Sequence, residues 1–455
     1  MSNRLAGIRK GWWRESVRRH FRMINRFLCF AFLVLTAVPG RAQSQDLSLG
    51  LRLQNVSAYV SYYSSSTLAG VQPGLLGSDL TAGGSVTLGW TEVRSRSTFL
   101  LNYTAAYSPD ITYSQFDALN HNATLSFSRT LSSSWTLTAS SATQVMNTSQ
   151  FVFQPGTASQ VGQLAATPDE LAAAAFSNAT YNNPRLASIL TAAPLLDAPT
   201  RQVFFGDRLL NTSFLIGAAY KKQRLTVGVS AAGTHTQSLS TSSTTTSLVP
   251  SANSGLVGLN LAYSLSPRTE VGASVSTLRT VSGLNDTYTS TVAATLAHRM
   301  SQRWFVQSHA GTGFQNATRS VYPVSSGLQY IIGGGLGFKT YSHAFLANAD
   351  RNISDAYGYG AGTNLSATGS WIWARPGRSW SIQASGGAQR LHTAGLSPFT
   401  GLLISVGFTE HLSGNTVASV SYAYLQNQTG VLGLSNQPIH SIRVAFGWAP
   451  SRIGL

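Results

Sequence analysis

The chain has 455 residues, a formal charge of +16, only 10% charged residues and a single cysteine. One thiol excludes an internal disulfide framework, and beyond residue 42 no apolar run approaches the roughly 18 residues of a membrane-crossing helix. Nine of the 31 Lys and Arg fall within residues 1–42; the remainder carries 22 against 14 Asp and Glu, a net of +8 with no basic cluster interleaved with aromatics, so no nucleic-acid partner is expected.

Residues 1–42 read as an export leader. A basic stretch, Arg4 to Arg26, precedes an apolar run of about a dozen residues from Phe27 to Val38, and Gly40-Arg41-Ala42 is an acceptable cleavage site. The basic part is long for a signal peptide. A start at Met23 would leave Met-Ile-Asn-Arg before the apolar run, which is the more ordinary arrangement. Cys29 lies inside that run with no small residues ahead of it, which argues against a lipoprotein. Residues 43–455 then form a single domain without cysteine.

From there the chain alternates. Eighteen segments carry apolar residues at every second position, near 47–64, 79–92, 96–108, 117–130, 133–146, 208–221, 223–237, 252–265, 268–282, 286–299, 302–317, 326–339, 342–355, 360–374, 379–392, 399–410, 414–427 and 438–448. A period of two is a β-strand with one apolar face. Leu365, Ala367, Gly369, Trp371 and Trp373 make such a face, as do Leu328, Tyr330, Ile332, Leu336 and Phe338. The opposite faces hold Ser, Thr, Gly and amides; Asn102, Asn122, Asn260, Gln307, His309, Gln329 and Gln383 are the polar residues expected to face a lumen. In lipid only a closed barrel satisfies every backbone group of a sheet. The predicted fold is therefore an all-β, antiparallel, up-and-down transmembrane barrel of about 18 strands, with 16 as the alternative count.

The connections support that count. Every second one is short, around Arg94–Arg96, Leu131–Ser133, Lys221–Arg224, Ser266–Arg268, Met300–Arg303, Lys339–Ser342, Arg375–Ser379 and His411–Gly414, while those between them are mostly longer. Outer-membrane barrels pair short periplasmic turns with longer outer loops. Trp90, Trp135, Trp304, Trp371, Trp373, Trp380 and Trp448 all lie near a short-turn end or the C-terminus, where they would form a membrane-interface girdle. A soluble sandwich with core tryptophans would not predict that clustering.

The longest connection, 147–207, carries helix signals. Thr167-Pro168-Asp169-Glu170 is a capping box with proline at the first helical position, and alanine-rich sequence follows. An apolar helical insert needs a surface, and the inner barrel wall is the nearest.

No catalytic constellation and no metal site stands out. The mature histidines are scattered, none at ligand spacing to another, and His309 reads as a pore-lining polar residue. Gly333-Gly334-Gly335 lies within a strand and marks a close approach, not a phosphate loop. The expectation is a non-enzyme without cofactor.

Leader, alternating strands, loop asymmetry and tryptophan girdle together resemble the general porins and related outer-membrane channels of Gram-negative bacteria. The resemblance covers nearly the whole mature chain at the level of pattern; no residue-level porin motif matches. It implies an outer-membrane location, outer-membrane lipid and the barrel-assembly machinery as partners, passage of small polar solutes, and room for an oligomer. In the general porins the third outer loop follows strand five and narrows the pore, which implies that role for 147–207. Asp169, Glu170 and Arg185 of the insert would then form a constriction with Arg443, which alternation turns inward; the simpler alternative is that Asp169 and Glu170 only cap a helix and Arg443 pairs locally. Eighteen strands is closer to the sugar-specific and polysaccharide-export barrels than to sixteen-stranded general porins. Export of a surface polysaccharide, or a structural surface barrel with a blocked lumen, is the alternative function. The last strand ends on aromatic Trp448, yet Ala449–Leu455 follow it, whereas the assembly signal usually ends on the aromatic.

Overall fold

The computed structural model describes residues 52–64, 79–108, 118–147, 208–239, 251–321, 327–355, 361–374, 379–392, 398–412, 416–429 and 438–448. The leader, the insert 147–207 beyond Asn147 and the C-terminal 449–455 lie outside them, and with them the cleavage site, Asp169, Glu170 and Arg185.

Eighteen strands follow one another: β1 (Arg52–Tyr63), β2 (Asp79–Arg94), β3 (Ser97–Ser108), β4 (Ala118–Thr130), β5 (Trp135–Asn147), β6 (Arg208–Lys222), β7 (Leu225–Ser238), β8 (Ala252–Ser266) and β9 (Thr269–Ser282). The second half comprises β10 (Asn285–His298), β11 (Trp304–Ser320), β12 (Gly327–Lys339), β13 (His343–Asp355), β14 (Ala361–Ala374), β15 (Trp380–His392), β16 (Phe399–His411), β17 (Thr416–Thr429) and β18 (Ile439–Trp448). Each strand pairs antiparallel with its sequence neighbours, and β1 also pairs with β18, Val56 opposite Trp448 through Tyr63 opposite Ser441. The sheet therefore closes on itself and has no edge, so every strand's backbone has partners on both sides. The predicted eighteen is the observed number.

The polarity of the wall is inverted relative to a soluble protein. Large apolar side chains sit on the outer face and are exposed, with Leu328 at 72%, Val257 at 60% and Val292 at 53%. A β-sandwich would bury such residues between its sheets. The inner face is paved by hydroxyl pairs between neighbouring strands: Ser57 with Ser85 at 2.7 Å, Thr87 with Thr104 at 3.0 Å, Ser276 with Thr291 at 2.7 Å and Ser385 with Ser405 at 2.7 Å. Such cross-strand pairs satisfy polar groups locally and fix register. A predominantly apolar exterior around a closed ladder is a surface suited to lipid, and the fold is a transmembrane barrel.

Three of the short turns share one device. Ser132 Oγ accepts the Trp135 amide (3.2 Å), Ser301 Oγ accepts those of Arg303 and Trp304 (both 3.1 Å), and Thr340 Oγ1 accepts that of His343 (3.0 Å). A hydroxyl that accepts amides two and three residues ahead holds the reversal and ends it on an aromatic residue.

Candidate functional site: the inner wall

Alternation and register turn Asn102, Asn122, Asn260, Gln307, His309, Gln329 and Gln383 to the inner face, opposite in parity to the exposed apolar side chains of the same strands. Arg443 is also inward; its guanidinium carbon lies 3.8 Å from the centre of the Tyr59 ring, a stacked cation–π contact with the neighbouring strand. Gln329 accepts a hydrogen bond from the Thr363 hydroxyl (2.7 Å), and Gln389 donates to Asn364 (2.8 Å), extending the polar lining over β12, β14 and β15.

The most organised part of this wall is built around β12. Register places His309, Gly333 and Asp350 in one rung, Gln307, Gly335 and Asn348 in the next, and Phe305, Gly337 and Leu346 in the third. All nine face inward. The glycines of β12 leave a bare strip onto which the flanking side chains fold. A Cβ at Gly333 would overlap Asp350 and His309, one at Gly335 would overlap Asn348 and lie 3.1 Å from Gln307 Nε2, and one at Gly337 would overlap the Phe305 ring. Across the bare Gly333 the imidazole reaches its acid: His309 Nε2 stands 3.3 Å from the Asp350 carboxylate. The close approach expected at Gly333-Gly334-Gly335 is thus one of neighbouring side chains at Gly333 and Gly335, and of the Gln307 carbonyl at Gly334.

Alternation alone gives the side on which His309 lies. It does not give Asp350, because a partner two strands away is visible only once the register of both ladders is known. Away from the strand ends, the ionisable Asp, Glu, His, Lys and Arg side chains that parity turns inward among the described residues are His309 and Asp350 on β11 and β13 and Arg443 on β18. No three His, Cys, Asp or Glu side chains cluster at metal-holding distance among the described residues.

All seven predicted tryptophans face outward near short-turn ends. Trp90 meets Phe99 with centroids 5.2 Å apart, Trp135 meets Tyr220 at 5.1 Å, Trp304 meets Phe338 at 4.5 Å and Trp373 meets Trp380 at 4.3 Å. Trp371 stacks on His343 at 6.0 Å, and Trp448 is 43% exposed.

No protein-family model matches the chain, and no curated protein matches it. Solved structures of similar shape include the outer membrane protein OpdK from Pseudomonas aeruginosa, at 9% identity and a TM-score of 0.40, with 87% of this chain and 98% of that one covered. A BenF-like porin from Pseudomonas fluorescens Pf-5 gives 9% identity and a TM-score of 0.44, covering 88% and 98%. CdiB from Acinetobacter baumannii gives 9% identity and 0.37, and the chain spans only 60% of its length.

Proposed function

We propose that this protein is a channel of the bacterial outer membrane through which small polar solutes diffuse passively, narrowed by the segment 147–207. The observation that carries the reading is the closed 18-strand wall, apolar outside and lined inside by hydroxyls, amides and the His309–Asp350 pair. A wall of that polarity offers solutes exchangeable hydrogen bonds, which suits transport. In this reading Asn102, Asn122, Asn260, Gln307, His309, Gln329 and Gln383 line the path. The seven tryptophans sit at the lipid headgroup level on the periplasmic side, because the turns at that end are the short ones. Asp169, Glu170 and Arg185 of the insert meet wall charges such as Arg443. The barrel-assembly machinery inserts the chain, and the outward face meets outer-membrane lipid or, in an oligomer, a second copy.

The test is planar-bilayer conductance of refolded protein with and without residues 160–195. The wild type is expected to conduct and the deletion to conduct more. Equal conductance would remove the constriction, and silence in both would remove the channel. A wild type that conducts only after deletion would mean a plugged barrel and would favour the polysaccharide-export alternative.

A further inference from the structure

Among the arginines that the strands carry on the outer, apolar face of the barrel, Arg351 and Arg390 share one rung. Ile332, Arg351, Leu365, Arg390 and Thr400 stand side by side on β12 to β16. Arg351 and Arg390 flank Leu365 and are two strand spacings apart, roughly 10 Å. Arg279 on the same face is already neutralised by Asp286, which accepts from it at 2.9 and 3.1 Å. Arg390 has no ion pair or hydrogen bond with any described residue. Arg351 donates to the carbonyl of Tyr330 and stacks on that ring at 3.5 Å, which holds its guanidinium in place without cancelling its charge.

The two guanidiniums border a groove of about 920 Å³ whose outward lining includes Tyr330, Leu365, Ala367, Ala388 and Leu402. The only carboxylate residue on its rim, Asp350, is the one directed inward to His309. The rung on the short-turn side of the arginines is small: Ala349, Ala367 and Ala388 are in register there. The groove is therefore cationic at one end and apolar and shallow at the other.

Its height fits a bilayer boundary. Arg390 stands ten residues beyond Trp380 on the same strand. At about 3.3 Å per residue and a tilt of about 40°, that is roughly 25 Å, the height of the apolar band of such barrels. An arginine on the lipid face is costly at the bilayer midplane and nearly free at its edge, so both guanidiniums belong at headgroup level.

We propose that this groove binds a phosphate-bearing lipid of the outer leaflet, its headgroup held by Arg351 and Arg390 and one acyl chain lying over Ala367 and Ala388. Two planar donor forks on one rung suit phosphate oxygens, and the alanine floor admits a chain where bulky residues would exclude it. The site rests on the reading that the strands span a bilayer with the long connections outward, but not on solute passage through the lumen.

The test is native mass spectrometry of the refolded barrel from detergent micelles containing either diphosphoryl lipid A or phosphatidylcholine, with heat-modifiable gel migration as the check on folding. The wild type is expected to retain one diphosphoryl lipid A and to lose about tenfold in retention when both Arg351→Gln and Arg390→Gln are present. Ala388→Phe, which keeps both charges and fills the floor, is expected to lose retention as well and serves if the double variant fails to fold. Equal retention by the variants, or equal retention of phosphatidylcholine by the wild type, would overturn the proposal. Lipid retention is read independently of conductance, so a silent barrel that binds lipid, or a conducting one that does not, separates this site from the pore.

Discussion

At Gly337 a missing side chain decides what the wall looks like. The Phe305 ring occupies the space a Cβ would take, so the only inward aromatic of β11 lies flat on the wall instead of projecting into the lumen. Gly337→Ala forces that ring off its seat and is expected to cost about 1–3 kcal/mol, the usual range for overpacking. Urea unfolding in micelles would show it, with Gly255→Ala as the control. Gly255 has nothing within 4 Å of where its Cβ would lie, so that change is expected to be neutral or slightly stabilising. A smaller loss at Gly337 than at Gly255 would mean the ring is not seated there. The glycine run was legible in the sequence as a crowded place. What crowded it was not, because His309 and Asp350 reach it from two different strands.

Among the elements, strands were far easier to read than turns. Alternation has a period of two, and every strand here has one wet and one apolar face, so bounds taken from pattern fall within a few residues of those observed. β11 is the largest departure at a long-connection end, running on to Ser320, because Ala317 to Ser320 hold their pairing to β10 through a register shift at Asp286/Thr287. The turn mechanism has a sequence signal that hydrophobic pattern does not reveal: a serine three residues before tryptophan, at Ser132/Trp135 and again at Ser301/Trp304. Ser301→Ala removes the acceptor for two amides and is expected to destabilise the barrel by about 1 kcal/mol. Ser301→Asp, which restores an acceptor, should recover most of it. Refolding yield and unfolding midpoint compared across the two variants would check this, and equal losses in both would assign the serine no turn role. At β6–β7 the reversal is instead made by Gln223, whose φ of +52° is the left-handed conformation such two-residue turns require.

Over the whole barrel, the inner charges are set apart around the ring. Asp350 belongs to β13 and Arg443 to β18, five strands further along the wall, with His309 beside the acid on β11. Opposite signs on separated walls of one lumen set up a field across the path of a solute, and a low-dielectric wall focuses it. The expected consequence is selectivity that moves in opposite directions: Arg443→Ala shifts the reversal potential in a salt gradient toward cation preference, and Asp350→Asn shifts it toward anion preference. Both shifts should be clear near 0.1 M salt, where the screening length is about 10 Å, and should fade near 1 M, where it is about 3 Å. A pore whose selectivity ignored both substitutions at low salt would have its narrowest point elsewhere, which would direct attention to Asp169, Glu170 and Arg185. The sequence alone suggested Arg443 through parity, but not its opposite: Asp350 becomes a pore charge only when the register of β11, β12 and β13 places it across Gly333 from His309. Stacking on Tyr59 holds the Arg443 guanidinium against the wall, which fixes where the positive end of that field lies. Tyr59→Leu would remove the stacking while keeping the charge, and it should leave the sign of selectivity unchanged while weakening its magnitude.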